Sequence, residues 1–137
     1  MSGGDVSAEL GGASAGALAS ASGARVVLVT FPDADTAARI ARTLVGEALA
    51  ACVNLVPGVR SIYAWQGEVH DDAEVLGVVK TTEAALAACA TRFAELHPYD
   101  TPEFLALSPD AGSARYLAWL AGSVRAGGAD GAGTASA

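Results

Sequence analysis

The chain has 137 residues, a formal net charge of −7 and an isoelectric point near 4.6, and its length fits one domain. No run approaches the ~18 consecutive apolar residues of a membrane-spanning helix, and the acidic balance disfavours a nucleic-acid partner. Only 6% of the residues are aromatic and two are cysteines, which predicts an aliphatic core without a disulfide framework.

Gly, Ala and Ser dominate both ends of the chain. Residues 1–24 contain no Pro, aromatic or basic residue, and residues 127–137 have a similar composition. Such segments bury too little apolar surface to offset the entropy of ordering them, so we predict disordered tails around one domain at 25–126. The N-terminal tail lacks the basic start and continuous apolar stretch of a signal peptide, which predicts a cytoplasmic protein.

The first half of the domain predicts a strand, a helix and a second, bent strand. Val-Val-Leu-Val at 26–29 indicates a buried strand, ended by Pro32. Apolar residues then recur every four positions, which predicts a helix over 34–50. A second extended segment covers 52–65, and Pro57-Gly58 within it indicates a bulge or kink.

The second half repeats this pattern and adds a helix. A polar hairpin connection is predicted at 66–72, a strand at 74–81, a helix at 83–96, a strand at 103–107 and a last helix at 113–124. The order is βαββαβ plus a terminal helix, and right-handed crossovers place both main helices on one face of an antiparallel sheet. We therefore predict an α+β fold, a ferredoxin-like sandwich with a C-terminal helix.

The opposite face of this predicted sheet has no cover within the chain. Its side chains are expected from among Val53, Leu55, Tyr63, Trp65 and Val78. A bare apolar face implies a partner, and a second copy of the same chain is the simplest one, so we predict a homo-oligomer.

Five short motifs lie in register along residues 25–125. They are Ala51-Cys52-Val53-Asn54, Ser61-Ile62-Tyr63-Ala64-Trp65, Val79-Lys80-Thr81-Thr82, His97-Pro98-Tyr99-Asp100-Thr101-Pro102-Glu103 and Tyr116-Leu117-Ala118-Trp119-Leu120. Together they resemble the CutA family of divalent-cation tolerance proteins. The resemblance implies a homotrimer similar to the PII signalling proteins, with strands extending onto neighbouring subunits, and a role in tolerance of copper and other divalent ions.

His97 is the first metal-ligand candidate, with Asp100 and Glu103 following in the same segment. Imidazole ligates copper and zinc, while the alternative is a loop histidine hydrogen-bonded to the backbone. Family members with a copper site carry a Cys and a second His where this chain has Val29 and Leu96. The resemblance therefore implies a weak or absent copper site, with Glu103 or a site shared on the three-fold axis as the remaining options.

A second acidic cluster lies in the predicted hairpin connection. Oxygen-rich clusters suit hard cations, but a charge run at a hairpin tip is more often a solvated surface. The cluster comprises Glu68, His70, Asp71, Asp72 and Glu74.

Lys80 is the only lysine in the chain and ends an otherwise apolar strand. One interpretation is an ion pair with Glu103. The other places Lys80 in a cleft between subunits, where it binds a small anion while Trp65 and Tyr99 form apolar walls. This second interpretation predicts a PII-like anion sensor as an alternative function.

Cys52 and Cys89 lack the spacing of a redox or zinc motif and are predicted to be free, buried thiols. The sequence contains no phosphate-binding glycine loop and no nucleophile–base constellation. We therefore predict a protein without enzymatic activity.

Overall fold

A computed structural model describes residues 14–125 of the chain. The elements in chain order are β1 Leu18–Ser20, β2 Ala24–Phe31, α1 Ala34–Gly46, β3 Cys52–Trp65, β4 Glu68–Thr82, α2 Leu86–Leu96, β5 Phe104–Leu107, β6 Ala111–Ser113 and α3 Ala114–Ser123.

The main sheet is antiparallel with the strand order β3-β4-β2-β5. Its central strand β2 carries the β-branched run that predicted it, and α1 begins where the Asp33 carboxylate accepts a hydrogen bond from the Thr36 N–H at 2.8 Å. Helices α1 and α2 pack on one face of the sheet. The predicted α+β class and βαββαβ order are confirmed.

The core lies between the sheet and these two helices. Val27, Val29 and Phe31 alternate along β2 toward the helices and are completely buried. Phe31 meets Phe93 of α2 edge-on, with ring centroids 5.9 Å apart. Cys89 is also completely buried, and burial raises the pKa of its thiol to about 11. Both cysteines are free as predicted, although Cys52 is only partly buried.

The N-terminal boundary of the ordered domain differs from the prediction. β1 lies inside the segment predicted to be a disordered tail and pairs with β6 in a separate two-stranded sheet. Ala21 and Ala24 then pack with Leu120 of α3 in a second cluster. Composition did not predict this strand, because each small residue buries little area. The segment becomes ordered only when β6 supplies partners for its backbone hydrogen bonds. The rest of the predicted tails, residues 1–13 and 127–137, lies outside the described residues.

The β3–β4 hairpin is longer than predicted. Gln66 and Gly67 alone connect the strands, both with positive φ of 51° and 82°, as tight hairpin turns require. The prediction of a polar connection over 66–72 is therefore wrong, since β4 already begins at Glu68. We call residues 59–74 the arm. The predicted bulge at Pro57-Gly58 is confirmed by a register shift between Val56 and Val59, where the arm begins.

The second face of the sheet is largely uncovered by the described residues, and α3 covers one end of it. We call this the open face; its apolar residues include Val26, Leu28, Val56, Leu76, Val78, Leu105 and Leu107. Val78 lies there as predicted, but Val53 and Leu55 pack against the helix-covered core. The prediction had left open which members of this set lie on the uncovered face, because side chains alternate along a strand and the sequence did not show which parity faced the helices.

Candidate binding pocket

A pocket of about 580 Å³ lies where the open face meets the arm. The end of β2, the arm and the loop after α2 enclose it. Its lining residues are Thr30, Ser61, Ile62, Tyr63, Trp65, Glu74, Tyr99, Asp100, Thr101 and Glu103.

Aromatic side chains of the arm form one wall of the pocket. Tyr63 and Trp65 share one face of β3 because residues two apart on a strand point the same way. The Tyr63 hydroxyl donates a hydrogen bond to Asp72 at 2.5 Å, and its ring stacks on His70 with centroids 5.2 Å apart. Trp65 is 48% exposed, so its indole is open to a ligand.

Carboxylates line the same pocket. Glu74 is only 9% exposed and accepts a hydrogen bond at 2.9 Å from the Tyr99 hydroxyl. Burial, followed by the hydrogen bond to Glu74, raises the pKa of Tyr99 far above its ordinary value. Burial and the nearby charge of Glu74 raise the pKa of Glu103. None of the lining residues is Lys, Arg or His, so the electrostatic potential in the pocket favours a cation.

His97 lies behind this pocket and is buried. Its Nδ1 accepts a hydrogen bond from the Tyr99 N–H at 3.1 Å, and its Nε2 lies 2.8 Å from the Thr30 carbonyl oxygen. These two partners assign the neutral tautomer with the proton on Nε2. Its ring packs against Phe31, Phe93 and Tyr99.

Because both ring nitrogens are engaged, His97 has no nitrogen lone pair available to a metal in this arrangement. The geometry favours the alternative that the sequence left open, a loop histidine bonded to the backbone. Its effect on the pocket is indirect: it anchors Tyr99, whose hydroxyl reaches Glu74. Of the two predicted metal ligands, Glu103 lines the pocket and His97 does not.

Within one described subunit, the residues of the predicted ligand-binding set lie apart. Trp65 and Tyr99 line the pocket together, whereas Lys80 donates a hydrogen bond to Asn54 and has Cys52 as its cross-strand neighbour. Lys80 lies six positions after Glu74 on β4, a distance of about 20 Å along an extended strand. Among residues 14–125 the ion pairs do not include the expected Lys80–Glu103 pair.

The acidic cluster of the arm is not one site. Asp71 points to one face of the arm and pairs with Arg60 at 2.6 Å, while Asp72 points to the other face and accepts the hydrogen bond from Tyr63. Within the part of the chain that the structure describes, no three His, Cys, Asp or Glu side chains come together as a metal-ligand group. A copper or zinc centre of nitrogen and sulfur ligands therefore does not fit one described subunit.

Sequence analysis missed the part that Glu74 and Tyr63 play in the pocket. It placed Glu74 in the charge run and Tyr63 on the uncovered sheet face. The available signal was the alternation Ser61, Tyr63, Trp65, which places these residues on one face of the arm. The sequence did not show which residues of β4 lie opposite these residues, because the bulge before Val59 changes the pairing register.

These features define a class of protein: a small α+β sandwich with one open sheet face and an acidic, aromatic pocket beside it. No helix among residues 14–125 combines the length and hydropathy needed to cross a membrane. Residues 25–123 match the family model described as CutA1 divalent ion tolerance protein, so the chain belongs to this family. The resemblance seen in the sequence is confirmed.

Named relatives agree with this assignment. The divalent-cation tolerance protein CutA of Thermus thermophilus is 53% identical over 95 residues, which are 69% of this chain and 92% of that protein. The chloroplastic protein CutA 1 of Oryza sativa is 45% identical over 100 residues, 73% of this chain but 56% of the plant protein.

Solved structures match as well. The Thermus thermophilus protein superimposes with a TM-score of 0.73 at 49% identity, covering 74% of this chain and 99% of that one. CutA from Synechococcus elongatus gives a TM-score of 0.76 at 35% identity, covering 80% of this chain and 96% of that one. The family model and the Thermus thermophilus relative are named for tolerance of divalent cations.

Proposed function

We propose that the chain works as a homotrimer in divalent-cation tolerance, without enzymatic activity. Its family membership supports the general role. The observation that carries the assembly is the open face, where Leu105 and Leu107 are 55% and 46% exposed on an edge strand. Contiguous apolar surface of this kind marks an interface, and the resemblance to PII-like trimers supplies its symmetry.

Edge strands support the same assembly. β3 and β5 bound the four-stranded sheet, and each presents unpaired backbone groups along one side. The arm extends β3 and β4 past the bulge, with Ile62 and Val69 exposed along it. A neighbouring subunit would pair with the backbone groups of an edge strand and would cover the exposed apolar residues of the arm. We further propose the cytoplasm as its location, although one relative is named chloroplastic and another periplasmic.

A divalent ion would be held by oxygen atoms of the pocket. Glu103 and Glu74 are close enough for one charge to affect the other, and carboxylate oxygens suit hard cations such as Mn²⁺ better than they suit copper. One described subunit offers fewer than three ligands at one point, so water or a neighbouring subunit would complete the coordination.

The test is titration calorimetry of the full chain with Mn²⁺ and with Cu²⁺, beside light scattering to measure the mass in solution. We expect three times the 13.6 kDa chain mass, and Mn²⁺ binding that Glu103→Gln weakens. Glu83→Gln is the matched control, because Glu83 pairs with Arg25 beyond the far end of β4. A monomer in dilute solution, or a metal isotherm unchanged by Glu103→Gln, would contradict the respective part of the proposal.

The pocket itself supports a second candidate function, a PII-like sensor of a small molecule. Its volume of about 580 Å³ lies in the range of small-ligand sites. The form predicted from the sequence places Lys80 with Trp65 and Tyr99 in a cleft between subunits and stays a prediction; within one subunit, Lys80 bonds Asn54 and does not line this pocket.

A further inference from the structure

We propose that the tip of the arm of one subunit packs on the open face of the next subunit, where Glu68 forms an ion pair with Lys80 of its neighbour. The inference rests on the trimer proposed above and names one contact between its subunits. It follows from two charges that have no opposite charge beside them in one subunit, and from their positions on one strand.

Lys80 brings a positive charge to the open face. Its side chain lies on the same side of β4 as that of Val78, because residues two apart on a strand point the same way. The ammonium group donates a hydrogen bond to the neutral side chain of Asn54, and the ion pairs among residues 14–125 do not include it. A neighbour that covers the open face removes water from this ammonium group, and a buried charge without a counter-charge is strongly unfavourable. The surface that covers Lys80 should therefore supply a carboxylate.

The arm has one acidic side chain without a partner in its own subunit. Three of its four carboxylates accept hydrogen bonds from side chains of the arm or of the loop after α2. They are Asp71 with Arg60, Asp72 with Tyr63, and Glu74 with Tyr99. The fourth, Glu68, is exposed at the tip, and no side-chain hydrogen bond or ion pair within residues 14–125 involves it. Glu68 is thus the carboxylate of the arm that is available to a neighbour.

The two charges lie at opposite ends of one β-ribbon. Lys80 is the cross-strand neighbour of Cys52, where β3 begins. Glu68 is the cross-strand neighbour of Trp65, where β3 ends. Lys80 lies twelve positions after Glu68 on β4, about 40 Å along an extended strand, so the two side chains cannot meet within one subunit. In a closed ring each interface joins two different patches of the same chain, and a negative and a positive end on every subunit suit such an interface.

The tip of the arm also needs a surface to pack on. Beyond the bulge the arm is a ribbon of β3 and β4 alone, and a two-stranded ribbon is marginally stable in water. Trp65 shares one face of this ribbon with Glu68. An indole ring attracts an ammonium group and covers the methylene stem of a lysine. The contact would therefore bring Trp65 and Lys80 together across the interface, although they lie apart in one subunit.

The experiment reverses both charges in the full chain and measures subunit exchange between tagged and untagged protein. Lys80→Glu and Glu68→Lys each place like charges against each other at every interface, so each should accelerate exchange at least about tenfold. The double variant restores opposite charges and should exchange within about threefold of the wild-type rate. Lys80→Glu combined with Glu95→Lys, on the exposed side of α2, is the matched control and should exchange as fast as Lys80→Glu alone.

A second measurement uses the wild-type chain and so does not depend on the folding of a variant. Lys80 is the only lysine, and a carbodiimide, which joins an amine to a carboxylate in contact with it, should link Lys80 of one subunit to Glu68 of another. Lys80→Arg keeps the charge but should not be linked. Mass spectrometry of the linked peptides identifies the carboxylate.

The inference would be overturned by a double variant that exchanges as fast as the single variants, by restoration in the Glu95→Lys control, by a trimer without a link at Lys80, or by a link from Lys80 to a different carboxylate. Light scattering tests the proposed trimer separately. A monomer contradicts the assembly itself, whereas a trimer that fails the charge reversal refutes this contact alone.

Discussion

The two faces of the four-stranded sheet are built from the same strands but lie in different surroundings. On the helix-covered face Val27, Val29 and Val79 are completely buried. On the open face their neighbours Leu28 and Val78 remain partly exposed, although they are equally apolar. The chain covers one face with its own helices, and the described residues leave most of the other face uncovered.

This contrast separates stability from function within one small domain. Burial on the helix-covered face contributes about 1.5–3 kcal/mol for each large side chain and makes that face the stable core. The open face and the adjoining pocket contain the exposed apolar groups and the uncompensated carboxylates Glu74 and Glu103. Substitutions on the two faces should therefore change different measured quantities.

The largest expected effect is on assembly. Leu105→Asp places a charge on the edge strand of the open face, next to its cross-strand neighbour Leu28, and should convert the proposed trimer into a monomer. Ala94→Asp adds the same charge on the exposed side of α2 and should leave the mass unchanged. Light scattering measures the mass of both variants, and a Leu105→Asp trimer would remove the open face from the interface.

Next in size is the loss of a core ring. Phe93→Ala removes the ring that contacts Phe31, His97 and Phe104, and should lower the free energy of unfolding by about 3–5 kcal/mol. Val45→Ala, on the exposed side of α1, should change it by less than about 0.5 kcal/mol. Denaturant unfolding at one protein concentration measures both, and similar losses would show that burial does not distinguish the two positions.

A smaller effect is expected from overpacking the same core. A Cβ on Gly77 would lie 2.6 Å from Val29 Cγ2 and 2.8 Å from Phe31 Cε2, so Gly77→Ala should cost about 1–3 kcal/mol of unfolding free energy. Gly46→Ala meets no atom within 4 Å at the end of α1 and should be neutral or slightly stabilising. If Gly77→Ala is as stable as the wild type, the packing between β4 and β2 is looser than the structure indicates.

The smallest effect concerns the pocket and depends on pH. Burial and the charge of Glu74 raise the pKa of Glu103 above 4.5, so its ionised form destabilises the folded state. This penalty is fully present above the raised pKa and disappears as the pH falls through it toward 4.5. Glu103→Gln should therefore have a higher Tm than the wild type at neutral pH, and the difference should close below pH 4.5.

Thermal melts across this range provide the measurement, and Glu83→Gln serves as the control. Glu83 forms an ion pair with Arg25 at 2.8 Å, so removing the charge of Glu83 should not raise the Tm. A Glu103→Gln variant that melts below the wild type at neutral pH would show that the Glu103 charge is compensated in the assembled protein.

Particular residues show where sequence analysis succeeded and where it failed. Ile40 and Leu44 recur at helical spacing, and they do lie in the core on α1. The prediction for the arm was wrong, because its polar residues from Glu68 onward are typical of a loop, although they form a strand. His97 was one residue with two interpretations, and only the positions of the Thr30 carbonyl and the Tyr99 amide distinguish them.

The family, the order of the strands and helices that build the main sheet and its cover, and the aliphatic core could be read from the chain alone, because local periodicity and neighbouring motifs encode these features. Only the tertiary structure showed which strand parity meets the helices, that Lys80 lies away from Trp65, and that Glu74 is buried beside Tyr99. These outcomes depend on a register shift at the bulge and on contacts between distant segments. Pairing over long sequence separations leaves no periodic signal in the chain, so it can be seen only once the strands are assembled.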